Sequence, residues 1–176
     1  MITYFAFLRG INVGGHNKIP MQNLRRLLEN LGFKEVQTYI QTGNVIFKSL
    51  ETSLQVLTLK IEQSILEHFG FVIPVLLKTE RQLKEILERC PFNNEEKQSS
   101  YFALLYSKIN ETQKASVLGY DFPNEKFNLT NDCVYLYSSI GYGKSKANNN
   151  FFEKKLKVVA TTRNFKTLNK LLALTS

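Results

Sequence analysis

The chain has 176 residues, 43% hydrophobic and 22% charged, an ordinary globular composition that excludes a disordered polypeptide. No apolar run approaches the roughly 18 residues of a membrane span. Cys90 and Cys133 lie far apart with no CxxC, which argues against a disulfide framework or zinc site and for reduced, buried thiols.

In chain order, Ile2 to Leu8 is expected as a first strand, since it has neither the basic start nor the cleavage site of a signal peptide. Residues 9–20 form a polar loop with three glycines, Gly10, Gly14 and Gly15, and at least one of the last two is predicted at positive φ. Pro20 opens a helix whose stripe is Met21, Leu24, Leu27, Leu28 and Leu31, and Gly32 ends it. Val36 to Ile40 and Asn44 to Lys48 read as a hairpin turning at Gly43. A second helix runs from about Ser53 to Gly70, and Phe71 to Leu77 is a strand that Pro74 marks as edge or bulged. Thr79 to Gln82 is a capping box for a linking helix, which Cys90-Pro91 stops, and the polar run Asn93 to Ser100 is expected as a mobile loop.

The pattern then restarts. Tyr101 to Tyr106 is a strand, Glu111 to Leu118 a helix, and Lys126 to Leu129 with Val134 to Ser138 a hairpin. Asn149 to Lys157 is a basic helix, Val158 to Ala160 a short strand and Phe165 to Leu172 a last helix. The order is βαββαβ twice, which argues for α+β layers in three stretches: a half at 1–78, a link at 79–100 and a half with its terminal helix at 101–176. The two halves show no sequence likeness, so the repeat is expected in element order only.

That order puts the 9–20 loop beside the Gln41 to Asn44 turn, as one polar rim. A second rim gathers Gly141 to Ala147 and Thr161 to Asn164, expected as loops after strands. Charge is concentrated there. Residues 144–176 hold eight basic side chains against Glu153, a net +7, and the rest of the chain nets +1. Such asymmetry points to an anionic partner, against the plain alternative of a solvated lysine face.

Ser138 to Ser145 is one residue short of a P-loop, and the motif needs a parallel sheet with an acidic magnesium ligand, which the pattern does not offer. The glycines of the first loop are not spaced as GxGxxG. His16 reads as a surface histidine and His68 as a favourable cation in a helix's last turn. No catalytic triad, metal cluster or cofactor motif is read. Thr161 to Asn164, placed before a helix, offers backbone N–H groups and Arg163 to an anion, the plain alternative being a helix cap.

Phe5 to Met21, Tyr39 to Phe47, Gly141 to Lys146 and Thr161 to Asn164 closely resemble a bacterial family known only as domain of unknown function 1697. The chain departs at His16, often Lys in that family, and at Phe165, often Trp. The resemblance implies a cytoplasmic bacterial protein built from two tandem ferredoxin-like halves packed together, and carries over no activity.

The expectation is therefore a cytoplasmic protein binding a phosphate-bearing small molecule or nucleic acid, with no cofactor, metal or membrane. Its expected ligand residues are Arg9, Asn12, Gly14, Gly15, Lys18, Gln41 and Asn44 on one rim, and Lys144, Ser145, Lys146, Arg163 and Asn164 on the other. Two alternatives stand beside it: a small-molecule enzyme acting in the cleft between the halves, and a protein-interaction module using the terminal helix.

Overall fold

Side chains alternate faces along a strand. In Ile2–Leu8 (β1) this sends Tyr4, Ala6 and Leu8 into the core of the first half. The computed structural model describes residues 1–175 and continues with Met21–Asn30 (α1), Lys34–Tyr39 (β2), Asn44–Ser49 (β3), Leu54–Phe69 (α2) and Val75–Thr79 (β4). These strands make an antiparallel sheet ordered β2-β3-β1-β4. Glu80–Glu88 (α3) and Asn94–Gln98 (α4) follow. The second half is Tyr101–Leu105 (β5), Glu111–Leu118 (α5), Glu125–Leu129 (β6), Cys133–Ser138 (β7), Asn149–Leu156 (α6) and Ala160–Asn164 (β8), with Phe165–Ala173 (α7) last. Its sheet, β6-β7-β5-β8, is also antiparallel. The fold is α+β, two βαββαβ halves with linking and terminal helices. By contact the chain divides into Met1–Lys84 with the residues from Leu171, and Glu85–Lys170.

Local chemistry explains the element ends. Pro20, extended at ψ 129, is the N-cap of α1, just outside the first turn where the sequence pattern puts it. Ser53 caps α2 through Val56 N–H, and Gly70 ends it in the left-handed region that glycine tolerates best. Thr79 and Gln82 form the reciprocal capping box at the start of α3. In each unit two helices cover one sheet face: Leu24, Leu28, Leu57, Ile61 and Ile65 in the first, Val117, Phe152 and Leu156 in the second.

Three expectations need correction. Residues 93–100 are not a loop, because Asn93 caps α4 through Glu96 N–H and two glutamates favour its first turn. The fourth strand of the first half begins at Val75, after Pro74, and not at Phe71; it is an edge strand, as the proline requires. The last strand is Ala160–Asn164 and not Val158 to Ala160, because β5 pairs with it from Leu105↔Ala160 to Tyr101↔Asn164. Both sheets being antiparallel, the stretch from Ser138 to Ser145 has no P-loop setting: a 3-10 turn, Tyr142–Lys144, follows Gly141 at φ 90.

The repeat also goes beyond element order. Phe5 faces Lys78 in the first sheet as Phe102 faces Arg163 in the second, which aligns Tyr4-Phe5-Ala6 with Tyr101-Phe102-Ala103. Lys78 and Arg163 are both buried. Each last strand opens with an N–H given to a helix glutamate, Val75 to Glu62 and Ala160 to Glu153. Each first strand ends alike, Leu8 N–H on Gly43 O and Leu105 N–H on Asp132 O. Thr79 and Asn164, one residue beyond the buried cations, cap the helices that follow.

Candidate functional site

The equivalent halves part company at two connections. Twelve residues join β1 to α1, against five between β5 and α5. Ten join β7 to α6, against four between β3 and α2. The longer partners are the two glycine-bearing polar loops of the sequence, inserted on a duplicated scaffold. Function commonly resides in such grafted loops.

The first loop is a miniature hairpin. His16 N–H bonds Val13 O at 3.0 Å across Gly14 and Gly15, with φ 58 and 78. Both central residues at positive φ define a type I′ turn, so both glycines are required there. Asn12, itself at φ 55, closes the base: its amide nitrogen donates to Ile19 O and Gln41 O, each at 2.9 Å, and its oxygen accepts from Ile19 N–H at 2.8 Å. Asn17 donates to Gly10 O. The loop and the 41–44 turn therefore touch, as the strand order requires. Gly43 is buried at φ 81, and Asn44, fully buried, donates to Tyr39 O and Thr42 Oγ1. Asn12 and Asn44 are thus braces; Gly14, Gly15, Lys18 and Gln41 are exposed, and Arg9 is half-buried.

The second loop closes on a residue the sequence reading missed. The Glu125 carboxylate accepts from Ser145 Oγ at 2.7 Å and from the Lys146 and Ala147 N–H groups, both at 2.8 Å. Burial alone would raise its pKa; these three donors and the Lys146 charge outweigh burial and hold it below the usual value. The loop is an anion clasp already filled by the chain's own carboxylate. Hairpin register is the signal that could have found it, since Glu125 pairs with Ser138, where the loop begins. Tyr142 stacks on Tyr101 with ring centroids 4.2 Å apart, and its hydroxyl accepts from Asn149 N–H. Lys144 and Lys146 stay exposed.

Thr161 to Asn164 reaches the same end of the sheet, because Tyr101 pairs with both Leu136 and Asn164. It does so as strand, not loop. Arg163 is 8% exposed and donates to Thr161 Oγ1 and Thr162 O; burial lowers its pKa to about 10, a loss that Tyr106 partly offsets. Asn164 caps α7 through Thr167 N–H. Three positions expected as ligands, Ser145, Arg163 and Asn164, therefore have roles inside the fold.

What remains outward is charge. Among the described residues Lys144, Lys154, Lys157, Lys166 and Lys170 form no ion pair. Lys155 lies 4.8 Å over the Tyr120 ring. Lysines in the last turn of α6 also complement the negative helix end, which accounts for Lys154 and Lys155 without a ligand. It does not account for Lys144 and Lys146, which precede that helix. Among the described residues no cluster of His, Cys, Asp or Glu is placed to hold a metal ion, and no helix is long and apolar enough to cross a membrane.

Comparison with known proteins is consistent along the chain. The model of a family described as protein of unknown function (DUF1697) matches residues 1–135. The structure of conserved bacterial protein SP0830 from Streptococcus pneumoniae is similar over 99% of each chain, at 27% identity and a TM-score of 0.79. No curated protein matches.

Proposed function

We propose that this chain, which belongs to the DUF1697 family of proteins of unknown function, binds a phosphate-bearing ligand, nucleic acid included, on its inserted loops. The observation that carries this reading is the difference between the repeats. Both insertions are pinned, one by its own Asn12 and the other by Glu125 of β6, and both leave lysines in solvent. Pinning a loop in advance lowers the entropy cost of binding. Lys18 with the Gly14-Gly15 turn forms one contact. Lys144 and Lys146, both exposed on the second loop, form the other.

Such contacts bind by displacing counterions from phosphates. They need no metal and no base-specific readout, and they act on a duplex, a single strand or a polyphosphate alike. A cytoplasmic, bacterial setting accords with this reading, as do two buried cysteines that are both free thiols.

The test is a titration of labelled single-stranded RNA, read by fluorescence anisotropy, with wild type and Lys144→Ala/Lys146→Ala. Removing two phosphate contacts should weaken binding at low salt and flatten its salt dependence by about two contacts' worth. Lys84→Ala, whose ammonium is paired with Glu80, should change neither. Equal binding by all three proteins would refute the assignment.

A further inference from the structure

The outward face of α2 breaks the rule that its counterpart obeys. α2 and α6 occupy equivalent places, yet the solvent side of α6 carries Asn150, Lys154 and Lys157, whereas that of α2 carries Val56, Leu59 and Leu66. At 100° per residue these three lie opposite the buried Leu57, Ile61 and Ile65. They are 50%, 59% and 39% exposed, and Val72, 82% exposed, continues the patch beyond the helix end. A shallow groove of about 290 Å³ runs beside it, lined by Leu59, Leu66, Val72 and Pro74 among others. The fold does not need this apolar stripe, as α6 demonstrates.

We propose that the stripe is the interface of a homodimer, a second copy of this chain packing its α2 antiparallel to the first across a twofold axis. The stripe is self-complementary about Gln63. An antiparallel twofold at that position brings Gln63 opposite its own equivalent, where each amide can both donate and accept, and Leu59 within one residue, about 1.5 Å of helix rise, of the partner copy's Leu66. It also sets Lys60 against the partner copy's Glu67. Those two residues lie seven apart on one flank of α2, and in an antiparallel helix pair like flanks meet. Each subunit thus offers a cation and an anion in the order its copy complements. Lys60 now gives one proton to Leu31 O and lies 5.4 Å over the Phe33 ring; Glu67 accepts from Gln63. An ammonium has two further donors and a carboxylate further lone pairs, so neither present bond need break. One 16-residue helix is about 24 Å long, so the patch falls short of the roughly 800 Å² per partner of a standard interface. The dimer is therefore of micromolar affinity or weaker.

Sedimentation velocity over a wide concentration series measures this directly. Wild type should pass from monomer to dimer as concentration rises, and Leu59→Glu/Leu66→Glu should remain monomeric with an unchanged circular dichroism spectrum. Lys60→Glu and Glu67→Lys should each raise the dissociation constant about tenfold, and the double swap should return it to the wild-type value. The swap answers the objection that exposed glutamates merely disturb the helix, because local damage from two single changes would add, whereas restored pairing across the interface returns the affinity. Wild type monomeric at every concentration would overturn the proposal. So would dimerisation untouched by Leu59→Glu/Leu66→Glu, failure of the double swap to rescue, or a stripe that binds lipid vesicles while the protein stays monomeric.

Discussion

Replacing Gly43 by alanine puts a methyl group where the first inserted loop meets its neighbouring turn. An ideal Cβ there would lie 2.8 Å from Leu8 Cβ and 2.9 Å from Ile11 Cδ1. The Ile11 methyl is a side-chain end and can turn aside; Leu8 Cβ is fixed to a strand backbone whose N–H bonds Gly43 O. Forcing an extra carbon into such packing costs typically 1–3 kcal/mol, and an L-residue in the left-handed region, here φ 81, costs roughly 1–2 kcal/mol more. The expected loss is about 3 kcal/mol. Gly32 supplies the control, since it sits at φ 91 with nothing within 4 Å of its ideal Cβ. Gly32→Ala isolates the backbone penalty, about 1 kcal/mol, and the difference between the variants isolates the clash. Urea denaturation followed by circular dichroism reads both through the midpoint. Equal midpoints for the two variants would refute the close approach of the 41–44 turn to β1.

Other expectations follow from the two braces. Asn12→Ala removes three hydrogen bonds at a residue with positive φ and should cost about 2–3 kcal/mol, with limited proteolysis opening the chain between residues 9 and 20. Glu125→Gln should lower stability by about 1–2 kcal/mol at neutral pH. The Glu125 pKa is depressed in the folded state, so its stabilisation is present above the ordinary glutamate range and lost as pH falls through the folded value. The midpoints of wild type and Glu125→Gln should therefore converge as pH falls below the ordinary glutamate range; a gap that stays constant through acid pH would show that the carboxylate is not the anion the loop holds. Tyr135→Phe frees the buried Ile86 carbonyl from its 2.8 Å bond and should cost about 1 kcal/mol. Burial pushes the Tyr135 phenol far above its usual range, so at least this one of the eight tyrosines should stay un-ionised in a spectrophotometric titration to pH 11.

Elements whose ends carry their own chemistry were legible in the chain. Ser53 and Gly70 bracket α2, Thr79 and Gln82 start α3, and both hairpins turn where glycine or Asn-Asp allows. α4 escaped a reading built on apolar period because it buries no side chain; its only signal was Asn93 three residues before Glu96. β8 escaped for the opposite reason. Val158 and Val159 look like strand residues, but pairing with β5 selects Ala160–Asn164, so tertiary register overrides β propensity. The halves looked unrelated because their likeness is a short run, Tyr-Phe-Ala, which gains meaning only from register with a buried cation. In the candidate site, polarity alone could not separate ligand from brace. Asn12 and Asn44 are polar residues in glycine-rich loops and bond the backbone, whereas Lys18, Lys144 and Lys146 point outward.

Salt dependence of affinity tests the central claim most directly. If Lys144 and Lys146 each neutralise one phosphate of a single strand, the logarithm of the association constant should fall with that of salt concentration with a slope of about −1.4. Between 50 and 200 mM salt the affinity for labelled single-stranded RNA should therefore drop roughly sevenfold. An affinity that is unchanged across that range would contradict phosphate recognition by the inserted loops.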